Sequence, residues 1–150
     1  MPTTSAETPG AEAASPVPDP EGVRRAGDAI EVEPAFRFEI DDDELRAESL
    51  PTLDALATFL RNHPDIVRLE VQGHTDDRGL EVGRPLGMAR ATTIVEGLVA
   101  RGVDGARLYA CGYGALRPRV SGTSQVARAA NRRIELVVRA EGATCNPQAP

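Results

Sequence analysis

Asp76 and Arg90 are the two side chains whose types and placing point most directly to chemistry. Asp76 closes the run Val71-Gln72-Gly73-His74-Thr75-Asp76, which ends a strand-like segment, and Arg90 lies in Leu86-Gly87-Met88-Ala89-Arg90-Ala91, which opens a helical one. A strand end and the start of the next helix meet at one rim of an α/β layer, so the carboxylate and the guanidinium can face the same cleft. Such a pair suits a ligand that carries an ammonium and a carboxylate on one carbon: the aspartate receives the ammonium, and the arginine forks onto the carboxylate. Arg90 stands early in its helix, where the positive helix end adds to the field on an anion. Taken alone, the same two residues also fit a structural ion pair that ties a loop to a helix.

The elements that must position this pair can be read from apolar spacing. Phe36, Phe38 and Ile40 alternate with Arg37 and Glu39, as in a half-buried strand. Ser49 is placed to cap a helix with the stripe Leu50, Leu53, Leu56, Ala57 and Leu60, where Pro51 falls harmlessly in the first turn, and the helix ends near Asn62-His63-Pro64. Val67, Leu69 and Val71 give a second strand, followed by a long loop from His74 to about Pro85. A second helix carries Leu86, Arg90, Ala91, Ile94, Val95 and Leu98 on one side, with Gly102 as its stop. Leu108 and Ala110 mark a third strand. Gly112-Tyr113-Gly114 opens a loop lasting to about Ala130, and Ile134, Leu136 and Val138 mark a fourth strand. The order βαβαβ with a final strand, each strand having one apolar face, predicts an α+β fold: a two-layer sandwich with a mixed four-stranded sheet and both helices on one face.

Residues 1–33 are rich in Pro, Ala, Glu, Ser, Thr and Gly and read as a disordered tail or linker; 34–141 read as one domain, and 142–150 as a flexible C-terminal tail. The net charge of -6 disfavours nucleic acid as a partner. Every basic residue other than histidine is arginine, and there is no tryptophan, so the core must rest on Leu, Val, Ile and Ala. No run of ~20 apolar residues exists to span a membrane. The N-terminus has no early basic residue and no apolar stretch of the kind an export signal needs. Cys111 falls in a strand and Cys145 in the tail, which favours one half-buried and one exposed thiol; a bridge requires the tail to fold back in an oxidising compartment.

Catalysis has little support in these residues. His63, His74, Asp76 and Asp77 include metal-ligand types but lack a recognised spacing, which leaves a metal-dependent enzyme as a remote reading. No serine sits in a nucleophile elbow, and no phosphate loop is present. No catalytic residue, metal or cofactor is therefore expected. His74 reads as a hydrogen-bonding support for the loop. Arg133, Glu135 and Arg139 read as a solvated sheet face, and Tyr113 as a packing residue.

Four blocks in order carry a resemblance to a known family: Phe38 to His63 with Glu48-Ser49-Leu50-Pro51-Thr52-Leu53-Asp54; Gly73-His74-Thr75-Asp76 with Gly79; Leu86 with Arg90-Ala91, Ile94 and Leu98; and Gly112-Tyr113-Gly114 with Pro118, then Asn131-Arg132-Arg133-Ile134-Glu135. From about Phe36 to Arg139 the chain resembles the OmpA-like peptidoglycan-binding domain. The resemblance implies non-covalent binding of the peptidoglycan stem peptide through diaminopimelate, with Asp76 on its ammonium and Arg90 on its carboxylate. Backbone groups near Thr75 and Leu86 would hold the rest, and Asn131 and Arg132 would line or brace the cleft beside His74. It also implies a last antiparallel strand inserted between the first and second, and a periplasmic place at the cell wall or outer membrane, with other envelope proteins as further partners. Where the family commonly has asparagine, seven residues before the arginine, this chain has Gly83; where it often has serine, Gly87; and the Asp76 to Arg90 stretch is one residue short. Gly83 and the shortened loop also fit an alternative, an interaction module of the same fold that contacts a protein partner.

Overall fold

Strands with one apolar face need a layer to cover it, and two amphipathic helices supply that layer here. The structure, a computed structural model, describes residues 18–39, 42–75, 80–114, 119 and 124–145, with the backbone alone for 80–84. In chain order the elements are β1 (Val23–Ala26), β2 (Ala29–Val32), α1 (Leu50–Asn62), β3 (Arg68–His74), α2 (Leu80–Ala100), β4 (Leu108–Gly114), α3 (Gln125–Asn131) and β5 (Arg133–Arg139). The sheet runs in the order β1-β2-β5-β3-β4. β3 and β4 are parallel, joined across α2, and β5 lies antiparallel to β3 with Val71 opposite Leu136 and His74 opposite Arg133.

The α+β class, the mixed sheet and the helical layer agree with the sequence reading, but the sheet has five strands rather than four. Its outer pair comes from residues expected to be tail. Val23–Ala26 and Ala29–Val32 form a hairpin, and β2 joins β5 through Ala29 opposite Val137 and Ile30 opposite Leu136. The physical reason is two well-spaced apolar residues, Val23 and Ile30, which are both buried in the core. The strand expected over 36–40 is replaced by a single antiparallel bridge between Phe38 and Leu45. Phe36 is instead buried in the core. The inserted last strand is present, with β5 lying between β2 and β3.

Leu53, Leu56 and Leu60 of α1, Ala91, Ile94 and Leu98 of α2, and Leu69, Val71, Leu108 and Leu136 of the sheet form one buried cluster. Each fully buried Leu or Ile contributes on the order of 2 kcal/mol. α2 begins at Leu80, with Pro85 inside it, so the long loop expected to reach Pro85 is shorter. Residues 125–131, expected as loop, form α3, whose first turn is capped by the Ser124 hydroxyl accepting from the Ala127 N–H at 3.1 Å.

The other sheet face is only partly solvated: the Glu135 and Arg139 side chains expected there are 38% and 39% exposed. Glu70, Gln72 and His74 are buried there beside Cys111 and Tyr113. Cys111 and Cys145 form a disulfide with an S–S distance of 2.01 Å, and the Ala143 carbonyl accepts from Arg68 Nε at 3.1 Å. The expected frayed tail therefore folds back at least as far as Cys145, and neither cysteine is a free thiol.

α2 meets β3 main chain to main chain. A methyl group built on Gly73 would lie 1.8 Å from the Gly87 carbonyl oxygen, and one on Gly87 would lie 2.5 Å from the Gly73 carbonyl oxygen. Neither neighbour is the movable end of a side chain, so the helix itself would have to shift. Overpacking of this kind costs about 1–3 kcal/mol or more. Gly73→Ala is thus expected to lower the urea midpoint strongly, and Gly87→Ser also to do so. An unchanged midpoint in both variants would mean that α2 does not rest on β3 as described.

Candidate functional site

A cleft of about 520 Å³ opens at the end of the sheet where β3 finishes and β5 starts. Its walls come from four places: the 36–38 segment with Arg46 and Glu48, the β3 end at His74 and Thr75, the early part of α2 at Leu86 and Arg90, and the α3–β5 junction at Ala129, Arg132, Arg133 and Ile134. A concave space of this size, with an apolar floor and a few converging polar groups, has the dimensions of a small-molecule or peptide site.

Ser49 fixes the first wall. It stands at the N-terminus of α1, but its hydroxyl makes no cap bond to the helix. It accepts the Arg37 backbone N–H at 2.8 Å, and the Arg37 carbonyl in turn accepts from the Arg46 N–H at 2.9 Å. Arg90 clasps the same region from α2. Its Nε donates to the Asp42 carbonyl at 2.7 Å and its Nη2 to the Glu39 carbonyl at 3.2 Å. The guanidinium carbon also lies 5.1 Å from the centre of the Phe38 ring, a cation–π arrangement. Thr93 adds a bond from its hydroxyl to the Asp43 carbonyl at 3.0 Å. Arg90 is thus a buried cation that lines the cleft and holds one of its walls.

Thr75 differs from its neighbours. Its N–H donates to the Gly114 carbonyl at 2.9 Å, but its hydroxyl, in a residue only 2% exposed, has no hydrogen-bond partner among the described residues. Buried hydroxyls are normally satisfied, so an orphan lining a cleft points to a group that arrives from outside. Leu86 is half-buried and offers an apolar patch beside it. His74 is buried, shares a 2.9 Å hydrogen bond with Gln72 Oε1, and stacks on Tyr113 with ring centres 5.3 Å apart.

Asn131 braces rather than lines: its Oδ1 accepts the Arg119 N–H at 2.7 Å. Arg132, just past α3, is exposed and lines the cleft. Gly83 lies within α2 rather than in a loop. Asp76 and Asp77 lie outside the described residues. His63 is remote from the cleft, contacting Asp19 at 2.9 Å. Among the described residues no group of three or more His, Cys, Asp or Glu side chains is placed to hold a metal.

Sequence reasoning missed Arg37 and the two phenylalanines as cleft walls, because their alternation imitates a strand, and Arg46, which no motif singled out. It also missed Glu70. That buried carboxylate accepts from Arg139 Nε at 2.7 Å, from the Tyr109 hydroxyl at 3.1 Å and from the Tyr113 hydroxyl. Burial alone pushes its pKa up, but hydrogen bonds from Tyr113 and Arg139, the Arg139 charge and the Tyr109 bond together hold it below the ordinary value. Glu135 behaves likewise: burial raises its pKa, and the bond and charge of Arg133 more than offset that. The face expected to be solvated therefore carries a network of ion pairs and hydrogen bonds.

Solved structures with this arrangement are OmpA-like. The peptidoglycan-associated lipoprotein of Burkholderia pseudomallei superposes with a TM-score of 0.60 at 31% identity, over 69% of this chain and 86% of that one. The cell wall anchor of the T6SS from Pseudomonas aeruginosa gives a TM-score of 0.63 at 29% identity, over 79% of this chain and 87% of that one. The OmpA family model matches residues 37–132, and the chain belongs to that family. Among full-length relatives, the peptidoglycan-associated lipoprotein of Legionella pneumophila is 37% identical over 70% of this chain and 60% of its own length. The peptidoglycan-binding protein ArfA of Mycobacterium tuberculosis is 34% identical over 90% of this chain but only 40% of its own length. The chain thus spans about half the length of these relatives.

Two outcomes follow. Arg90→Ala removes both carbonyl bonds and the stacking on Phe38, and is expected to destabilise the fold by about 2–3 kcal/mol in urea titration. A fully stable variant would show that Arg90 does not hold the 39–42 segment. For Glu70 the folded pKa is depressed, so its contribution is present above the unfolded value of about 4.3 and is lost as the pH falls through the lower folded value. Wild type should lose stability over that acid window, and Glu70→Gln should flatten the loss; parallel acid titrations would contradict the network.

Proposed function

We propose that this chain binds the stem peptide of peptidoglycan non-covalently in the cleft beside Thr75 and Arg90, and so anchors an envelope component to the cell wall. The observation that carries this reading is the Thr75 hydroxyl, buried and without a partner among the described residues, in a cleft walled by arginines. A hydroxyl that has given up water gains most when a ligand group reaches it. Diaminopimelate meets the remaining chemistry: Asp76, next to Thr75 in sequence, takes the ammonium, and Arg90 takes the carboxylate, while Leu86 supports the aliphatic stem. Arg132 flanks the bound peptide, with Asn131 and His74 bracing the walls and Gly83 held in the helix behind Arg90.

Relatives named as peptidoglycan-associated or peptidoglycan-binding support the ligand class, and the T6SS cell wall anchor supports the role. The disulfide fits an oxidising compartment such as the periplasm. Binding of this kind needs neither turnover nor a cofactor.

The test is retention on purified diaminopimelate-type sacculi, with soluble diaminopimelate as competitor. Thr75→Val exchanges the orphan hydroxyl for a methyl group of similar size. Stability should be unchanged or raised by about 1 kcal/mol, while retention falls. Asp76→Ala should weaken binding by about 3 kcal/mol, roughly a hundredfold in Kd. A folded wild type that passes through the sacculi unretained would refute the reading and direct the search to a protein partner.

A further inference from the structure

The cleft is larger than one amino-acid head group requires, and its charge departs from that of the chain. The whole sequence carries a net charge of -6, whereas the described cleft residues include Arg37, Arg46, Arg90, Arg132 and Arg133 against the single acid Glu48. Arg90 is engaged by the Asp42 and Glu39 carbonyls, and Arg133 by Glu135. Arg37 is different. Its backbone is pinned at both ends, by Ser49 Oγ at 2.8 Å and by the Arg46 N–H at 2.9 Å, yet its guanidinium makes no hydrogen bond or ion pair among the described residues. The Arg46 side chain beside it makes, among the described residues, only loose, exposed ion pairs, 3.5 Å to Glu48 and 4.0 Å to Glu39. Pairs of this length and exposure hold an arginine weakly.

A fixed backbone places the Arg37 guanidinium at the cleft with no internal partner among the described residues to give up, so an arriving anion displaces no existing bond there and has only the side chain to order. Resting on the stem-peptide reading above, we propose that Arg37, assisted by Arg46, forms a second anion subsite that takes a further carboxylate of the stem, the α-carboxylate of the γ-linked glutamate. A carboxylate offers two charged acceptors to a guanidinium fork, whereas a carboxamide offers one neutral acceptor and an N–H₂ that meets the cation with the wrong polarity. The cleft therefore selects stems whose glutamate carboxylate is free over stems in which it is amidated.

Two soluble tripeptides test this, L-alanyl-γ-D-glutamyl-diaminopimelate and the same peptide with the glutamate α-carboxamide, with Kd measured by calorimetry. Wild type should bind the free acid tighter by on the order of tenfold, the range expected of one charge-assisted hydrogen bond. Arg37→Gln should bring the ratio close to one by weakening the free-acid peptide alone, and Arg37→Lys should restore part of it. The melting temperature of Arg37→Gln should match wild type, since no internal bond is lost. Equal wild-type affinity for the two peptides, or an equal loss for both in Arg37→Gln, overturns the subsite and leaves the stem-peptide reading standing. Wild type that binds neither tripeptide nor sacculi overturns both.

Discussion

Where Gly73 in β3 meets Gly87 in α2, two main chains touch with no side chain between them. That contact sets the height of α2 above the sheet. Leu86 and Arg90 are one and three residues from Gly87, so their reach into the cleft is fixed by it. Thr75 lies two residues beyond Gly73 on the opposing strand. A helix lifted by the width of a methyl group would carry Arg90 away from the Glu39 and Asp42 carbonyls and open the wall they form. The substitution that looks in sequence like a departure from the family, glycine where serine is common, is in this chain a condition of the packing.

Much of the sheet and helical layer was legible because apolar spacing there answers to one buried face. Leu69 and Val71, Ile134 and Leu136, and the α1 stripe are cases where local pattern and tertiary burial agree. The hairpin was not legible because only Val23 and Ile30 carry it, within a composition that merges with the Pro- and Ala-rich residues before it. Phe36 and Phe38 alternate as a strand would, but one enters the core and the other lies beneath Arg90. The seven-residue α3 has almost no apolar stripe, and Val126 is 80% exposed; Ser124 as a cap was the one signal it gave. Pro85 masked the true start of α2, since proline usually marks a boundary.

The site divides in the same way. Thr75, Leu86, Arg90 and Arg132 come together at one cleft; the meeting of strand end and helix start anticipated Arg90, whereas Thr75, Leu86 and Arg132 were reached by motif order. The orphan state of the Thr75 hydroxyl and the carbonyl clasp of Arg90 depend on segments distant in sequence, and no spacing rule anticipates them. The same holds for the second sheet face. Glu70, Gln72 and His74 look solvated by type, and they are buried beside partners distant in sequence: Tyr109, Tyr113 and Arg139 bond Glu70, and Tyr113 stacks on His74.

The position of Asp19 has a mechanical consequence. It contacts Asn62 and His63 at the C-terminal end of α1, whereas the cleft lies beside the N-terminal end of that helix. The thirteen residues of α1 separate the two by about 20 Å. A pull on the chain from its N-terminal side, with a ligand held in the cleft, would therefore load the domain along its length. The hairpin edge, where β2 is registered to β5 by two residue pairs, is the shortest pairing in the sheet. The rest of the sheet is clasped by seven-residue strands. The fewest registered pairs thus lie on the N-terminal side of the domain, while the longer ladders, β3 with β5 and β3 with β4, run to the strand ends beside the cleft.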